Sequence, residues 1–223
     1  MYKYKKINQN FFKIWNHEMS YTIGFMFADG GISINSRGGC YFALYSNDED
    51  LLKKIKYKMG SDHKISQRSA RSGNVFRFQV GSKEMVGDLK KLGFYENKIK
   101  RMRIPEIPNN FIPDFIRGFF DGDGNVWMGI SHKNSKSKIT IQTSFTSASK
   151  CFLIDLQLHL GKLGLLGGSI FNIKNKDCSR ITYSVNDTLK LHKIMYNIDC
   201  LELYLPRKRK IFEKYIKLGK KQS

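Results

Sequence analysis

Phe115-Ile116-Arg117-Gly118-Phe119-Phe120-Asp121-Gly122-Asp123-Gly124 decides how the rest of this chain is read. It follows Pro113-Asp114, a proline and an acid suited to the first turn of a helix. It closes on Gly122 and Gly124, residues able to end one. Gly118 and Gly122 stand four apart, so they stack on one helical face and leave it almost bare of side chain. A bare face lets a second backbone come close, for steric reasons. Asp123 then falls where the helix dipole is negative and a carboxylate is least welcome. That position demands a compensating charge.

Tyr21-Thr22-Ile23-Gly24-Phe25-Met26-Phe27-Ala28-Asp29-Gly30 repeats the layout: small Gly24, small Ala28, then Asp29 and Gly30. Asp123 follows Asp29 at a spacing of 94 residues, a size that suits one compact unit. If the two helices pack through Gly24, Ala28, Gly118 and Gly122, both carboxylates arrive together at two negative helix ends. They then repel each other unless a hard divalent cation sits between them, and oxygen ligands suit Mg²⁺. A single Asp-Gly reads equally well as a turn after a buried helix. Two copies with matching small residues and acids read as a paired site.

On these residues the chain resembles the LAGLIDADG homing endonuclease family in its single-chain, double-motif form: "IRGFFDGDG" and "TIGFMFADG" stand for the two signature helices. The second copy fits at Gly118, Asp121, Asp123 and Gly124, whereas in the first Phe27 replaces the motif's earlier acid. The resemblance implies that Asp29 and Asp123 are catalytic and hold Mg²⁺, for which Mn²⁺ can substitute, together with the backbone carbonyls of Ala28 and Gly122. It also implies a basic residue from each half near the attacking water. The matching positions are Lys98 in "ENKIK" and Lys208 in "PRKRK", with Lys100, Arg101, Arg207 and Lys210 close enough to serve instead. The implied activity is hydrolysis of one phosphodiester in each strand of a long asymmetric DNA site, leaving 3′ overhangs. The implied state is a monomer with internal pseudo-two-fold symmetry. Two alternatives on the same fold are an RNA maturase and a DNA-binding regulator that no longer cuts; the pair of acids favours the enzyme.

Composition points the same way. The 223 residues carry 39 Lys plus Arg against 19 Asp plus Glu, a formal charge of +20, which calls for a polyanionic partner. Double-stranded DNA is the expected one, with neither a membrane nor a small-molecule substrate. No apolar run has the length of a spanning helix, and the basic start leads into no signal core. An intracellular, non-secreted protein is expected. Cys40, Cys151, Cys178 and Cys200 show no paired spacing and read as free thiols.

Taken in order, residues 1–17 form an aromatic, basic lead-in expected to hold a short helix. Residues 18–104 form a first repeat, 105–113 a linker with Pro105 and Pro108, and 114–223 a second repeat ending in a basic helix. Each repeat reads as α-β-β-α-β-β-α, so the fold class is α+β, with antiparallel sheets flanking the packed signature helices and forming a saddle.

Alternation along the strands places apolar residues inward and polar ones outward. The outward residues in the first half are Ser33, Asn35, Arg77 and Gln79, with Arg37, Tyr41, Arg68 and Arg71 around them. In the second half they are Trp127, Ser131, Thr140, Gln142, Ser144, Asn172, Arg180, Thr182 and Ser184, with Lys133, Lys136, Lys138 and Lys174 near the turns. Arg, Gln and Asn on a two-stranded ribbon can read base edges in a major groove. Loops at Ser69–Asn74 and Lys133–Lys138 are expected to reach phosphates, which position a protein without specifying sequence.

Overall fold

The structure is a computed structural model that describes residues 5–70, 73–96, 101–133, 136–197 and 202–220, without the side chains at 70, 132, 133, 136 and 220. Helix α1, His17–Asp29, starts at Asn16, whose side chain accepts the Met19 amide at 2.7 Å. Strand β1, Gly30–Ile34, follows with no connecting residue. The second repeat does the same: α4, Ile112–Asp123, runs directly into β5, Gly124–Lys133. This junction explains the glycine after each aspartate. Both Gly30 and Gly124 are extended, yet a Cβ at Gly30 would sit 2.8 Å from Met26 Cα, and one at Gly124 2.5 Å from the Phe120 carbonyl oxygen.

The first repeat continues with β2 (Cys40–Ser46), α2 (Glu49–Lys58), β3 (Ile65–Ala70), β4 (Gly73–Gly81) and α3 (Lys83–Lys91). The second continues with β6 (Lys136–Ser147), α5 (Lys150–Lys162), β7 (Ser169–Asn172), β8 (Ser179–Tyr183) and α6 (Val185–Tyr196), and α7 (Pro206–Lys220) closes the chain. Each repeat forms a four-stranded antiparallel sheet, in the orders β1-β2-β4-β3 and β5-β6-β8-β7. Identical order in two sheets is the duplication that the sequence implied.

Several local expectations are corrected. The lead-in is a series of turns rather than a helix, anchored by Phe11 and Phe12 in the core and by the Asn8 amide on the Met59 carbonyl. The expected loops at Ser69–Asn74 and Lys133–Lys138 are largely strand, since Ser69 pairs with Asn74 and Lys133 with Lys136. Ile34, expected inward by alternation, is 41% exposed at the last position of β1. Strand β8 stops at Tyr183, where Thr188 of the next helix hydrogen-bonds the Tyr183 carbonyl and so turns the chain. Both signature helices begin slightly before the expected 18 and 114, α4 by two residues, with Pro113 in its first turn.

The core lies between the helices and the inner sheet faces, and aromatic rings join the two repeats across it. Phe27 of α1 packs against Phe115 of α4 and Phe152 of α5, each at 5.6 Å between centroids, and Phe119 continues the stack onto Phe152 at 4.4 Å. Phe27 is thus a cross-repeat core residue, which accounts for an aromatic ring where the second copy has an acid.

The helix contact makes one prediction about stability. A Cβ on Gly118 would lie 2.0 Å from the Tyr21 carbonyl oxygen and 2.8 Å from the Phe25 amide nitrogen, and backbone cannot step aside. Gly118→Ala should therefore cost at least about 3 kcal/mol in denaturant unfolding. Gly87→Ala, in mid-α3 with nothing within 4 Å of its Cβ position, should add about 0.5–1 kcal/mol. Equal effects from both would refute the close crossing.

Candidate functional site

Backbone contact between α1 and α4 builds the site. Gly24 faces the Phe115 carbonyl, with a Cβ position only 2.1 Å from its oxygen, and Gly118 faces Tyr21 and Phe25 as described above. At the far end Gly122 faces Ala28, whose Cβ would be 2.2 Å away, and Asp29, whose Oδ2 would be 3.2 Å away. The expected helix-interface residues Gly24, Ala28, Gly118 and Gly122 are therefore all at the crossing. Asp29 consequently lies against the backbone one residue before Asp123. Asp29 is half-buried and Asp123 exposed. A cleft of about 330 Å³ opens beside Asp29, lined by Asp29, Gly122 and Asp121 from the signature helices and also by Ser46, Asn47, Asp48 and Arg207.

Behind the cleft, buried polar groups fix the second signature helix. Asp121 is 2% exposed, and its Oδ2 accepts the Tyr21 hydroxyl at 2.6 Å and the Leu205 amide at 2.9 Å. Burial pushes its carboxyl up to about 6, against the pull of the Tyr21 hydrogen bond and of Lys208. Arg117, also 2% exposed, donates to the carbonyls of Leu203 and Met195, each at 2.9 Å, and to Asp114 Oδ1 at 2.6 Å. Asp114 is shared with His17 Nδ1 at 2.7 Å, which ties the starts of α1 and α4 together. Every Arg117 nitrogen that can bridge a gap does so; a buried guanidinium without those partners would be costly.

Lys208, the basic residue expected near the attacking water, is 6% exposed. Its Nζ donates to the carbonyls of Phe120 at 2.6 Å, Asp121 at 2.8 Å and Gly124 at 2.6 Å. It therefore caps the negative end of α4 from the start of α7. Burial lowers its pKa to about 8, opposed first by Asp121 and then, beyond the Arg207 charge, by Asp29 and Asp123. Lys98 lies outside the described residues, as does Arg71.

The helix-free faces of the sheets carry most of the outward residues expected. Ser33, Arg37, Arg68, Trp127, Ser131, Lys138, Gln142, Asn172 and Lys174 are exposed. Tyr41, Arg77, Gln79, Thr140, Arg180 and Thr182 are half-buried. Ser144 is corrected: it faces outward but is only 7% exposed, walled in by Asn125 and Thr182 on its two sides. Ser184 is also corrected, since it is the cap residue before α6 rather than a strand position. Asn35 belongs to the β1–β2 turn, where its Oδ1 accepts the Arg37 and Gly39 amides at 3.0 and 2.7 Å. Lys133 and Lys136 pair at the tip of β5–β6. Sequence reading passed over Tyr45, 43% exposed beside Arg77, and Phe171, 47% exposed beside Arg180. Alternation from Tyr41 would have found Tyr45; Phe171 sits on a four-residue strand too short to show a period. No Asp or Glu stands among these outward strand residues.

Comparison with known proteins agrees with this geometry. Residues 110–198 match the family described as LAGLIDADG-like domain. The fold superposes on the I-LtrWI LAGLIDADG homing endonuclease bound to target DNA with a TM-score of 0.65, covering 92% of this chain and 91% of that one at 15% identity. For the LAGLIDADG meganuclease I-AabMI bound to uncleaved DNA the values are 0.62, 93%, 91% and 14%. For I-SmaMI bound to cleaved DNA they are 0.62, 92%, 88% and 14%. At these identities the superpositions establish the fold. Among curated sequences, the probable translation initiation factor IF-2 of Methanocaldococcus jannaschii is 27% identical over 174 residues, 74% of this chain but 13% of that protein. Elongation factor 2 of Methanopyrus kandleri is 31% identical over 152 residues, 65% of this chain and 10% of its own length. The chain thus spans about an eighth or less of these curated relatives. A LAGLIDADG-like domain thus matches the second repeat, and the two-repeat fold of the superposed single-chain endonucleases runs along this chain.

Proposed function

We propose that this protein is a site-specific DNA endonuclease that binds a long asymmetric duplex and hydrolyses one phosphodiester in each strand. The observation that carries the reading is that backbone contact between the helices sets Asp29 Oδ2 against Gly122, the residue before Asp123, with the charge of both acids reaching Lys208. Two carboxylates beside sheet faces free of outward acids, in a chain of +20, would oppose a polyanion unless a cation joined them. That DNA is the polyanion draws support from the superposed relatives, whose structures hold it.

An all-oxygen donor set fits Mg²⁺, with Mn²⁺ able to substitute. On the resemblance, Asp29 and Asp123 would hold the ion with the backbone carbonyls of Ala28 and Gly122; among the described residues no group of three or more His, Cys, Asp or Glu could hold a metal. When bound, Mg²⁺ supplies charge relief at the phosphate and activation of water. The chain itself contributes orientation: Gly122 and Ala28 set the separation of the carboxylates, and Lys208 holds the end of α4 that carries Asp123. The sheet faces lie along the duplex as a saddle, with Arg77, Gln79, Gln142 and Arg180 placed to meet base edges. The outward residues of the two halves differ, which calls for an asymmetric target read by a monomer. Cuts on opposite strands across the minor groove would leave short 3′ overhangs.

Asp29→Asn and Asp123→Asn should each abolish Mg²⁺-dependent cutting of a plasmid carrying a site selected from a randomised library, and both variants should still shift that site in a gel. Purified wild type that binds the site with Mg²⁺ and never nicks it would sink the endonuclease reading. Binding should also weaken with salt, with a log–log slope near −0.9 for each phosphate neutralised. A slope close to zero would remove the sheet faces as the DNA surface.

A further inference from the structure

Gly129 stands in the middle of β5, paired with Thr140 across the ladder. A glycine there gives the strand nothing to pack and weakens it, so it marks a place where some group comes close to the backbone. That group is Trp127, two residues earlier and on the same outward face. A Cβ on Gly129 would lie 2.2 Å from Trp127 Cζ2, 2.7 Å from Cη2 and 2.9 Å from Cε2. The indole therefore fills the space where a side chain at 129 would stand, and lies along the strand instead of rising from it. It is still 48% exposed.

An aromatic ring held this way reads differently from the polar residues beside it. Cζ2 and Cε2 belong to the edge that carries the indole N–H, and both are among the atoms nearest Gly129, which leaves apolar ring toward the groove. The C5 methyl of thymine is the one apolar group that a base pair shows in the major groove. Guanine and adenine would set acceptors against the ring, and cytosine a donor, each stripped of water with no partner in return. Attraction and penalty both select thymine. Trp127 lies four residues beyond Asp123, roughly 13 Å along the strand, or about four base steps of duplex. Counted from Asp29 in the same way, the first repeat has Ser33 and Asn35 at the two matching positions, so the device belongs to one half only.

We propose that Trp127, held over Gly129, reads the methyl group of a single thymine in the half of the target that the second repeat covers. The proposal rests on the DNA-binding part of the endonuclease reading. It adds one base of the target, the residue that selects it and the glycine that positions that residue.

Selecting duplexes from a randomised library by binding alone keeps the test independent of hydrolysis. Wild type should return a thymine on one side of the site, about four to six base pairs from the cut positions. Trp127→Ala should lose that preference and keep the others. Uracil in place of this thymine removes only the methyl group, so wild-type affinity should fall roughly three- to fivefold, the worth of one buried methyl. The same exchange should leave the affinity of Trp127→Ala unchanged, and Gly129→Ala, which displaces the ring, should shrink the penalty. The assignment is wrong if wild type binds the thymine and uracil duplexes equally, or if Trp127→Ala selects the wild-type consensus. It is also wrong if Trp127→Ala melts lower and weakens every duplex by one factor, since the ring then only shields the Gly129 backbone. A wild type that prefers thymine to uracil and never nicks overturns the endonuclease reading and upholds this one; a wild type that binds no duplex overturns both.

Discussion

Two helices packed through ordinary side chains keep their axes 8–10 Å apart. In this protein α1 and α4 cannot, because Gly24 and Gly118 present backbone to backbone and neither position has room for a methyl group. That one steric constraint fixes the rest. It brings the helix ends together, and so brings together Asp29 and Asp123, which end them. It also aims the two sheets, because β1 and β5 leave the helices at Gly30 and Gly124 without an intervening residue. Position of the acids and orientation of the sheet faces are therefore one geometric fact.

The duplication is not an exact symmetry, and the departures have physical causes. At the position before Ala28 and Gly122, α1 carries Phe27 and α4 carries Asp121. Phe27 fills the core between repeats, stacking on Phe152. Asp121 instead joins Tyr21 of the first helix to the amide of Leu205, just before α7. A buried carboxylate needs such partners. Arg117, bonded to the carbonyls of Met195 and Leu203, extends the same buried polar seam toward the end of α6. The second repeat is thus held by hydrogen bonds where the first is held by aromatic rings. That asymmetry gives α7 a fixed seat at the cleft, with Arg207 facing out and Lys208 facing in.

Much of this was legible in the sequence because it follows from spacing. Small residues four apart followed by Asp-Gly specify the crossing, and strict alternation in Phe76-Arg77-Phe78-Gln79-Val80 specifies a half-buried strand. The parts that were not legible depend on contacts between distant segments. Lys208 and Arg207 are adjacent in a basic run, and nothing local shows that one caps a helix end while the other lines the cleft. Ser144 alternates outward, yet its neighbours in β5 and β8 cover it. Ser184 continues the alternation of β8, but Thr188, four residues on, bonds the Tyr183 carbonyl and ends the strand. The lead-in has helical composition and forms turns, because Phe11 and Phe12 are both drawn into the core. In each case tertiary packing overrides a local preference.

The most direct test of the central claim is a crystal structure of the protein on its selected DNA site with Ca²⁺, which should occupy an oxygen-ligand site while slowing cleavage. The account predicts ions between Asp29, Asp123 and the phosphates to be cut, with the duplex lying along the outward faces of both sheets. Ions bound elsewhere, or DNA seated on the helical side of the molecule, would contradict it.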